Sequence, residues 1–188
     1  MSYLTCSELE KIGFKSIGRD ARLSSRASFY NAGNIEIGDN VRIDDFCVLS
    51  AGPGGIKIAN NVHIAVFSSL IGRDTILLSE FCNLSSRVSI YSSNDDYSGT
   101  TMTNPTIPEA FTGVAHAPVF LRKHVIVGSG SVILPGVTLD EGVAIGALSL
   151  VKDNCHPFGI YAGCPARFIR ERKRDLLTLE ETFRQTLE

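Results

Sequence analysis

The sequence has little net charge, a single dense basic run and no long apolar segment near its N-terminus. Lys and Arg number 18 against 20 Asp and Glu, so the formal net charge is −2 at pH 7. A nucleic-acid-binding protein needs a concentrated basic face, whereas here only residues 167–174 are densely basic. Residues 1–14, MSYLTCSELEKIGF, are too polar for a signal peptide or a membrane anchor. These absences predict a protein that does not bind nucleic acid and does not insert into a membrane.

Paired-cysteine motifs are also missing. The cysteines are odd in number and none has CxxC spacing: Cys6, Cys47, Cys82, Cys155 and Cys164. We therefore expect no disulfide framework and a reducing, cytoplasmic setting. Cys47 and Cys82 fall where small inward-facing residues belong in the repeat described next, which predicts that they pack in the core.

A six-residue repeat fills the middle of the chain. From residue 121 it reads LRKHVI, VGSGSV, ILPGVT, LDEGVA, IGALSL, VKDNCH, and it occurs earlier from Ile37, Ile58 and Leu78. Its phase is reset around residues 52–55 and 72–76. The first and fifth side chains of a hexad can both point inward along a short strand, while Gly, Asn and Asp suit the corner that follows. Three such strands predict one triangular turn of a solenoid.

The repeat resembles the left-handed parallel β-helix of the hexapeptide-repeat acyltransferases over about residues 35–156. The segment IYAGCPARFIR, residues 160–170, is similar to the closing signature of that family. The resemblance implies an all-β solenoid with an N-terminal cap (1–30), the β-helix (31–156) and a C-terminal segment with an α-helix (157–188). We expect a short helix after Ser7. A second helical stripe is expected at Ile169, Leu176, Phe183 and Leu187.

The repeat stops at residues 92–118, a segment too long for a routine corner. The preceding stretch, FCNLSSRVSIYSSND, is similar to that of the galactoside and maltose acetyltransferases, where a catalytic His follows the Ile-Tyr pair. This chain has Asn94, Asp95 and Asp96 there instead. The resemblance implies a homotrimer in which this loop reaches a neighbouring subunit and the active site lies between subunits. We expect Asn94, Tyr97 and His116 to contact the acceptor.

Acyl transfer to a hydroxyl needs a base and hydrogen-bond donors for the developing oxyanion. His63 is the first candidate base, because imidazole titrates in the right range, although an outward histidine is also common on a plain surface. Asp95 and Asp96 are the second, since adjacent carboxylates raise each other's pKa, and an ordinary Asx turn is the alternative. His116 is a third candidate, while His124 and His156 are expected at solvent-facing positions.

The later hexads suit acetyl-coenzyme A as co-substrate. Small residues let an extended pantetheine chain approach the backbone, which points to Gly128, Ser129, Gly130, Gly146 and Ala147. The resemblance places the nucleotide phosphates near Lys152, Arg167 and Arg170, although a solvated helix face would also explain the basic run. No metal is expected.

The sequence predicts an acetyl-coenzyme-A-dependent O-acetyltransferase that acts on a sugar or nucleotide-linked sugar of a surface polysaccharide. The first alternative is N-acetylation of a nucleotide-linked amino sugar. A zinc-dependent, γ-type carbonic anhydrase-like protein and a non-catalytic trimeric scaffold are alternatives of other classes. The long polar excursion argues against a scaffold.

Overall fold

The structure is a computed structural model that describes residues 2–186. Helix α1 is Cys6–Ile12 and helix α2 is Asp175–Gln185. The strands before the long excursion are β1 (Ser16–Ile17), β2 (Arg22–Leu23), β3 (Ser28–Tyr30), β4 (Ile35–Ile37), β5 (Arg42–Ile43), β6 (Val48–Ala51), β7 (Ile56–Ile58), β8 (His63–Ile64), β9 (Ser69–Gly72), β10 (Ile76–Leu78), β11 (Asn83–Leu84) and β12 (Ser89–Tyr91). The excursion contains β13 (Ser93–Asn94) and β14 (Ala115–His116), and after it come β15 (Val119–Leu121), β16 (Ile126–Val127), β17 (Val132–Ile133), β18 (Thr138–Leu139), β19 (Ala144–Ile145), β20 (Leu150–Val151), β21 (Gly159–Ala162) and β22 (Arg167–Glu171).

Every third strand of the β-helix pairs in parallel with its counterpart one coil later. In the described chain the first sheet is β1-β4-β7-β10-β15-β18, the second is β2-β5-β8-β11-β16-β19-β21-β22 and the third is β3-β6-β9-β12-β17-β20. The result is a left-handed parallel β-helix of about seven turns, which confirms the predicted fold class. Only β22 departs from the parallel order within these three sheets of residues 2–186, since it pairs antiparallel with β21.

Aliphatic side chains stack in columns inside the coils. Ile37, Ile58, Leu78, Leu121 and Leu139 occupy the same position in successive coils, and each is almost fully buried. Burial of such columns removes apolar surface from water along the whole axis and is the main stabilising term of a solenoid. The inward first position of each predicted hexad is therefore confirmed.

Cys47 and Cys82 belong to this core, with 0% and 1% exposure. Burial raises the pKa of the Cys47 thiol to about 11 and that of Cys82 to about 12. Both stay protonated near neutral pH, so the prediction that they serve packing is confirmed. Cys155 is buried as well, while Cys6 and Cys164 are exposed.

The β-helix starts before residue 31 and continues after residue 156. Strands β1 to β3 already form a complete coil that pairs with the next one, and β21 extends the second sheet. The N-terminal cap proper is α1, which begins at Cys6. Thr5 and Glu8 form a capping box there, and Gly13 ends the helix at φ 75°.

Helix α2 docks on the side of the β-helix through charged and aromatic contacts. Glu180 lies 2.6 Å from both Lys123 Nζ and His124 Nε2, and the ring of Phe183 packs edge-on against Phe81. The predicted helical stripe is only partly correct. Ile169 lies in β22, because the helix begins only at Asp175, and Leu187 is outside the described residues.

No helix within residues 2–186 is both long and apolar enough to span a membrane.

Candidate active site

The excursion leaves the β-helix at the corner after β12, in the third sheet. The chain returns to that same corner before it enters β15 of the first sheet. Strands β13 and β14 pair antiparallel, with Ser93 opposite His116 and Asn94 opposite Ala115. At the base of this ribbon the Ala117 amide donates to the Ser92 carbonyl at 3.1 Å. The loop thus projects from one corner of the β-helix and is closed by backbone hydrogen bonds at its root.

A cleft of about 830 Å³ lies between this loop and the corners where the third sheet turns into the first. The β-helix side contributes Asn31, residues 50–52 and Arg73. The loop side contributes Asp95, Asn104, Glu109 and His116 among others. Polar side chains therefore stand on both walls, and the cleft contains charged groups of both signs.

Asp95 and Asp96 have different environments. Asp95 is exposed and lines the cleft. Asp96 accepts hydrogen bonds from the Ser98 amide (2.8 Å), the Thr100 hydroxyl (2.9 Å) and the Thr101 amide and hydroxyl (3.1 and 3.0 Å). These bonds, with those of Ser98 first, hold the pKa of Asp96 far below its usual range. The expectation that Asp95 and Asp96 raise each other's pKa is wrong for Asp96, which anchors the loop.

Other predicted acceptor contacts are divided between the ribbon and the solvent. Asn94 lies in β13 and is half-buried. Tyr97 is 87% exposed, and Phe111, a second aromatic residue of the loop that was not predicted to contact the acceptor, is 61% exposed. Neither ring packs into the core of its own chain.

His116 lies in the cleft and is joined to Arg73 through Ser93. The Ser93 hydroxyl accepts from the Arg73 amide at 2.8 Å and lies 2.8 Å from His116 Nδ1. The Arg73 guanidinium donates to Glu109 at 2.6 Å. One hydroxyl therefore fixes the relative positions of the β-helix corner and the returning strand β14.

His63 lies elsewhere, on the outer face of the second sheet. Its Nε2 is 2.9 Å from Asp44 Oδ2 and its Nδ1 is 3.0 Å from Asn83 Oδ1. Both ring nitrogens are engaged, so His63 can accept a proton from a substrate only by giving up one of these bonds. Within one chain the structure does not bring His63 into the cleft that Asp95 lines.

The remaining histidines pack against the C-terminal segment. The ring of His124 stacks on Phe81 at 5.1 Å, its side chain is only 10% exposed, and it contacts Glu180. His156 packs against Tyr161 and Phe168. The expectation that His124 faces solvent is therefore wrong, because α2 covers it. In residues 2–186 no three His, Cys, Asp or Glu side chains lie close enough to hold a metal ion.

The small residues predicted to hold pantetheine line up with Ser85 at the end of the second sheet. The Ser85 amide donates to Val127, the Gly128 amide to Ile145 and the Gly146 amide to Tyr161, which puts Ser85, Gly128 and Gly146 one coil apart. A Cβ at Gly128 would lie 2.5 Å from the Ala147 nitrogen, so only glycine fits there. Ser129 and Gly130 belong to the following corner, where Gly130 has φ 73°. Ser85 and Arg73 are not among the site residues predicted from the sequence.

The residues predicted to contact the phosphates of coenzyme A lie outside this column of small residues. Lys152 Nζ and Arg167 Nη1 are 3.1 and 3.8 Å from the same Asp153 oxygen, and all three residues line a small pocket of about 200 Å³. Arg170 lies on the exposed strand β22. Lys152 and Arg167 are thus brought together, with one carboxylate between them.

Comparisons with known proteins cover almost the whole chain, although no family model matches it. A dTDP-4-amino-4,6-dideoxy-D-glucose acyltransferase from Escherichia coli is 53% identical over 184 residues, 98% of this chain and 96% of that protein. The putative lipopolysaccharide biosynthesis O-acetyl transferase WbbJ of E. coli K12 is 29% identical over 154 residues, 75% of this chain and 74% of that protein.

A solved structure of AntD, an N-acyltransferase from Bacillus cereus, has a TM-score of 0.95 at 44% identity and covers 99% of this chain and 100% of that chain. That structure is a variant in complex with dTDP and coenzyme A. Other AntD structures hold dTDP-4-amino-4,6-dideoxyglucose with coenzyme A, or dTDP with 3-hydroxybutyryl-CoA. The AntD variants replace an aspartate, or a serine ten residues before it.

Proposed function

The chain belongs to the hexapeptide-repeat acyltransferase family, and we propose that it transfers an acyl group from coenzyme A to the amino group of a nucleotide-linked amino sugar. The observation that carries this proposal is the 53% identity, over 98% of the chain, to an enzyme named for acylation of dTDP-4-amino-4,6-dideoxy-D-glucose. The sequence predicts O-acetylation as the main activity and this N-acetylation as the first alternative. Whole-chain similarity to the N-acyltransferase AntD favours the second.

An amine acceptor fits the absence of a histidine after Ile90 and Tyr91. An amine that reaches the site unprotonated is already a good nucleophile, so the reaction needs a proton acceptor but no strong base. The nitrogen attacks the thioester carbonyl carbon, the C–N bond forms, the C–S bond breaks and coenzyme A leaves as the thiolate. One proton leaves the nitrogen, and we assign its uptake to the carboxylate of Asp95 rather than to His63.

Two observations support Asp95 over its neighbour and over His63. Asp95 faces the cleft, whereas Asp96 is occupied by four hydrogen bonds and His63 by two. The serine and aspartate replaced in AntD are ten residues apart, the spacing of Ser85 and Asp95 here. Ser86 and Asp96 have the same spacing, but Asp96 is committed to the loop.

Ser85 suits the role of a donor to the developing oxyanion. Its side chain is half-buried, and its main chain lies one coil from Gly128. Acyl-coenzyme A would lie along Gly128, Gly146 and Ala147, with its nucleotide phosphates near Lys152, Arg167 and Arg170. A hydroxyl held at the end of that column would stabilise negative charge on the thioester oxygen.

We further propose a homotrimer in which the site is completed by a neighbouring subunit. Ser85 follows the second sheet, while Asp95 projects from the corner after the third, so the two groups lie on different sides of one β-helix. The exposed rings of Tyr97 and Phe111 are available for burial against that neighbour. Mixed oligomers of Ser85→Ala and Asp95→Asn chains test this arrangement. Each variant alone is expected to be inactive, and mixing them should restore part of the activity.

The acceptor class is tested by thiol release from acetyl-CoA and from 3-hydroxybutyryl-CoA. The acceptors are dTDP-4-amino-4,6-dideoxyglucose and the matched dTDP-sugar with a hydroxyl at C4. We expect release only with the amine and an amide in the product. Equal rates with the hydroxyl sugar, or an ester product, would overturn N-acylation.

A further inference from the structure

The cleft beside the excursion carries an anion-binding group that the sequence analysis did not single out. Arg73 follows β9 at the corner of the third coil and is the only permanent cation among the described residues that line the cleft. Its backbone is fixed by the bond from its amide to Ser93, so the origin of the side chain is well defined. The side chain itself is 53% exposed.

Two further polar side chains line the same cleft. Asn104 uses its Oδ1 to accept from the Thr106 amide and hydroxyl, and its Nδ2 makes no hydrogen bond within residues 2–186. His116 lies against Ser93 through Nδ1, and within the described chain its Nε2 has no hydrogen-bond partner. A guanidinium, an amide and an imidazole thus share one lining, and Asn104 Nδ2 and His116 Nε2 are left for a ligand.

The guanidinium of Arg73 is held by Glu109, on the 3₁₀ turn Glu109–Phe111 of the loop. The two charged groups are 2.6 Å apart, but Glu109 is 83% exposed. Exposed ion pairs contribute little to stability, because water competes for both partners. A diphosphate also accepts two parallel hydrogen bonds from a guanidinium, as a carboxylate does, but it carries more negative charge than one carboxylate. A phosphate ligand can therefore take the place of Glu109.

We infer that this cleft binds the diphosphate of the nucleotide sugar, with Arg73 as its principal ligand and Glu109 as the residue that holds the guanidinium when the site is empty. This inference rests on the proposed function and adds to it a recognition residue. Asp95 lines the same cleft, so the cleft presents a cation and a carboxylate to a substrate that carries a diphosphate and an amine. The amine would lie at the Asp95 side.

The test is equilibrium binding to the full-length protein by calorimetry, with dTDP, thymidine and coenzyme A as probes. Arg73→Gln is expected to raise the Kd for dTDP at least about tenfold, since hydrogen bonds to charged groups are stronger than those between neutral groups. Thymidine, which lacks the diphosphate, and coenzyme A should bind the variant as they bind the wild type. Arg73→Lys should recover part of the loss, and Glu109→Gln should leave dTDP binding equal or tighter because a competing carboxylate is gone.

Arg122→Gln serves as the matched control, since Arg122 is an exposed arginine that packs over Phe120 away from the cleft. Unchanged dTDP affinity in Arg73→Gln, or a loss confined to coenzyme A, would overturn the inference while the N-acylation proposal stands. If the wild-type protein bound no dTDP but acylated another amine, the proposal that the acceptor is a nucleotide-linked sugar would be wrong.

Discussion

His63 Nε2 lies 2.9 Å from Asp44 Oδ2, and the carboxylate of Asp44 also accepts from Arg42 Nε at 2.7 Å. The Asp44 side chain is only 6% exposed. Burial raises its pKa, but the hydrogen bonds from His63 and Arg42 outweigh burial, so the pKa of Asp44 lies below its ordinary value. Asp44 therefore stays ionised at neutral pH, and His63 serves as one of the two side chains that hold it.

This pairing predicts that His63 contributes more to stability than to turnover. His63→Gln, whose amide can still donate to Asp44, should lower kcat less than about tenfold, whereas Asp95→Asn should lower kcat by about 10²- to 10⁴-fold, the usual contribution of a proton acceptor. Both rates are measured at saturating acyl-coenzyme A and amino sugar, with thermal melting as a check on folding. If His63→Gln abolished turnover without lowering the melting temperature while Asp95→Asn stayed active, His63 would be the base.

The four hydrogen bonds accepted by Asp96 predict a role in shaping the loop. Asp96→Ala should raise the KM for the amino-sugar nucleotide by about tenfold or more, because charged acceptors make strong hydrogen bonds. The KM for acyl-coenzyme A should not change. Asp96→Asn, which keeps one acceptor oxygen, should fall between wild type and Asp96→Ala. A large loss of kcat with unchanged KM in Asp96→Asn would contradict this role.

Docking of α2 should weaken in acid. Burial alone would raise the pKa of Glu180, but hydrogen bonds from Lys123, Arg184 and His124 lower it to about 2, against an ordinary value of 4.5. A carboxyl whose pKa is lowered on folding stabilises the protein above its unfolded pKa, and that stability is lost as pH falls through the folded pKa. The difference in melting temperature between wild type and Glu180→Gln should therefore shrink between about pH 4.5 and 2. Glu181→Gln, an exposed neighbour, should show no such change.

Arg167 and Arg170 should affect the coenzyme more than the chemistry. Arg167→Gln and Arg170→Gln are each expected to raise the KM for acyl-coenzyme A several-fold with little change in kcat, as happens when an interaction is equal in ground and transition states. With dephospho-coenzyme A, which lacks the 3′-phosphate, the KM should differ less between wild type and variant. Lys173→Gln is the control, being an exposed cation on the same tail. Equal discrimination by both coenzymes would exclude a contact with the 3′-phosphate.

The repeat predicted the fold well because each hexad is a local signal. Alternating inward residues such as Leu84 and Ile90 could be assigned from phase alone, and they are fully buried. The phase of the repeat also predicts which residues lie beside His63. Arg42, His63 and Asn83 end corresponding hexads, IGDNVR, IANNVH and LSEFCN, and in-register pairing places them side by side on successive coils.

The cleft could not be found in this way. Arg73 falls where the phase of the repeat is reset, and Glu109 lies in the excursion, 36 residues away in sequence. Their contact depends on how the loop folds back, which no periodic pattern describes. The different environments of Asp95 and Asp96 likewise depend on the hydroxyls of Thr100 and Thr101, whose positions follow from the loop conformation.

Because the excursion is closed by a hydrogen bond at its base, the loop can be replaced without changing the coils on either side. Ser92 and Ala117 are hydrogen-bonded neighbours, and the register resumes after the loop with Val119 opposite Ile76, as though nothing had been inserted. Three residues, 73–75, join the third and first sheets one coil earlier. Excision of residues 93–115 would leave four residues, 92 and 116–118, between β12 and β15, a corner of similar length, so the β-helix should still fold without the loop. Under the proposed function, replacement of the loop would change the acceptor preference, while the columns that hold the coils together would stay unchanged.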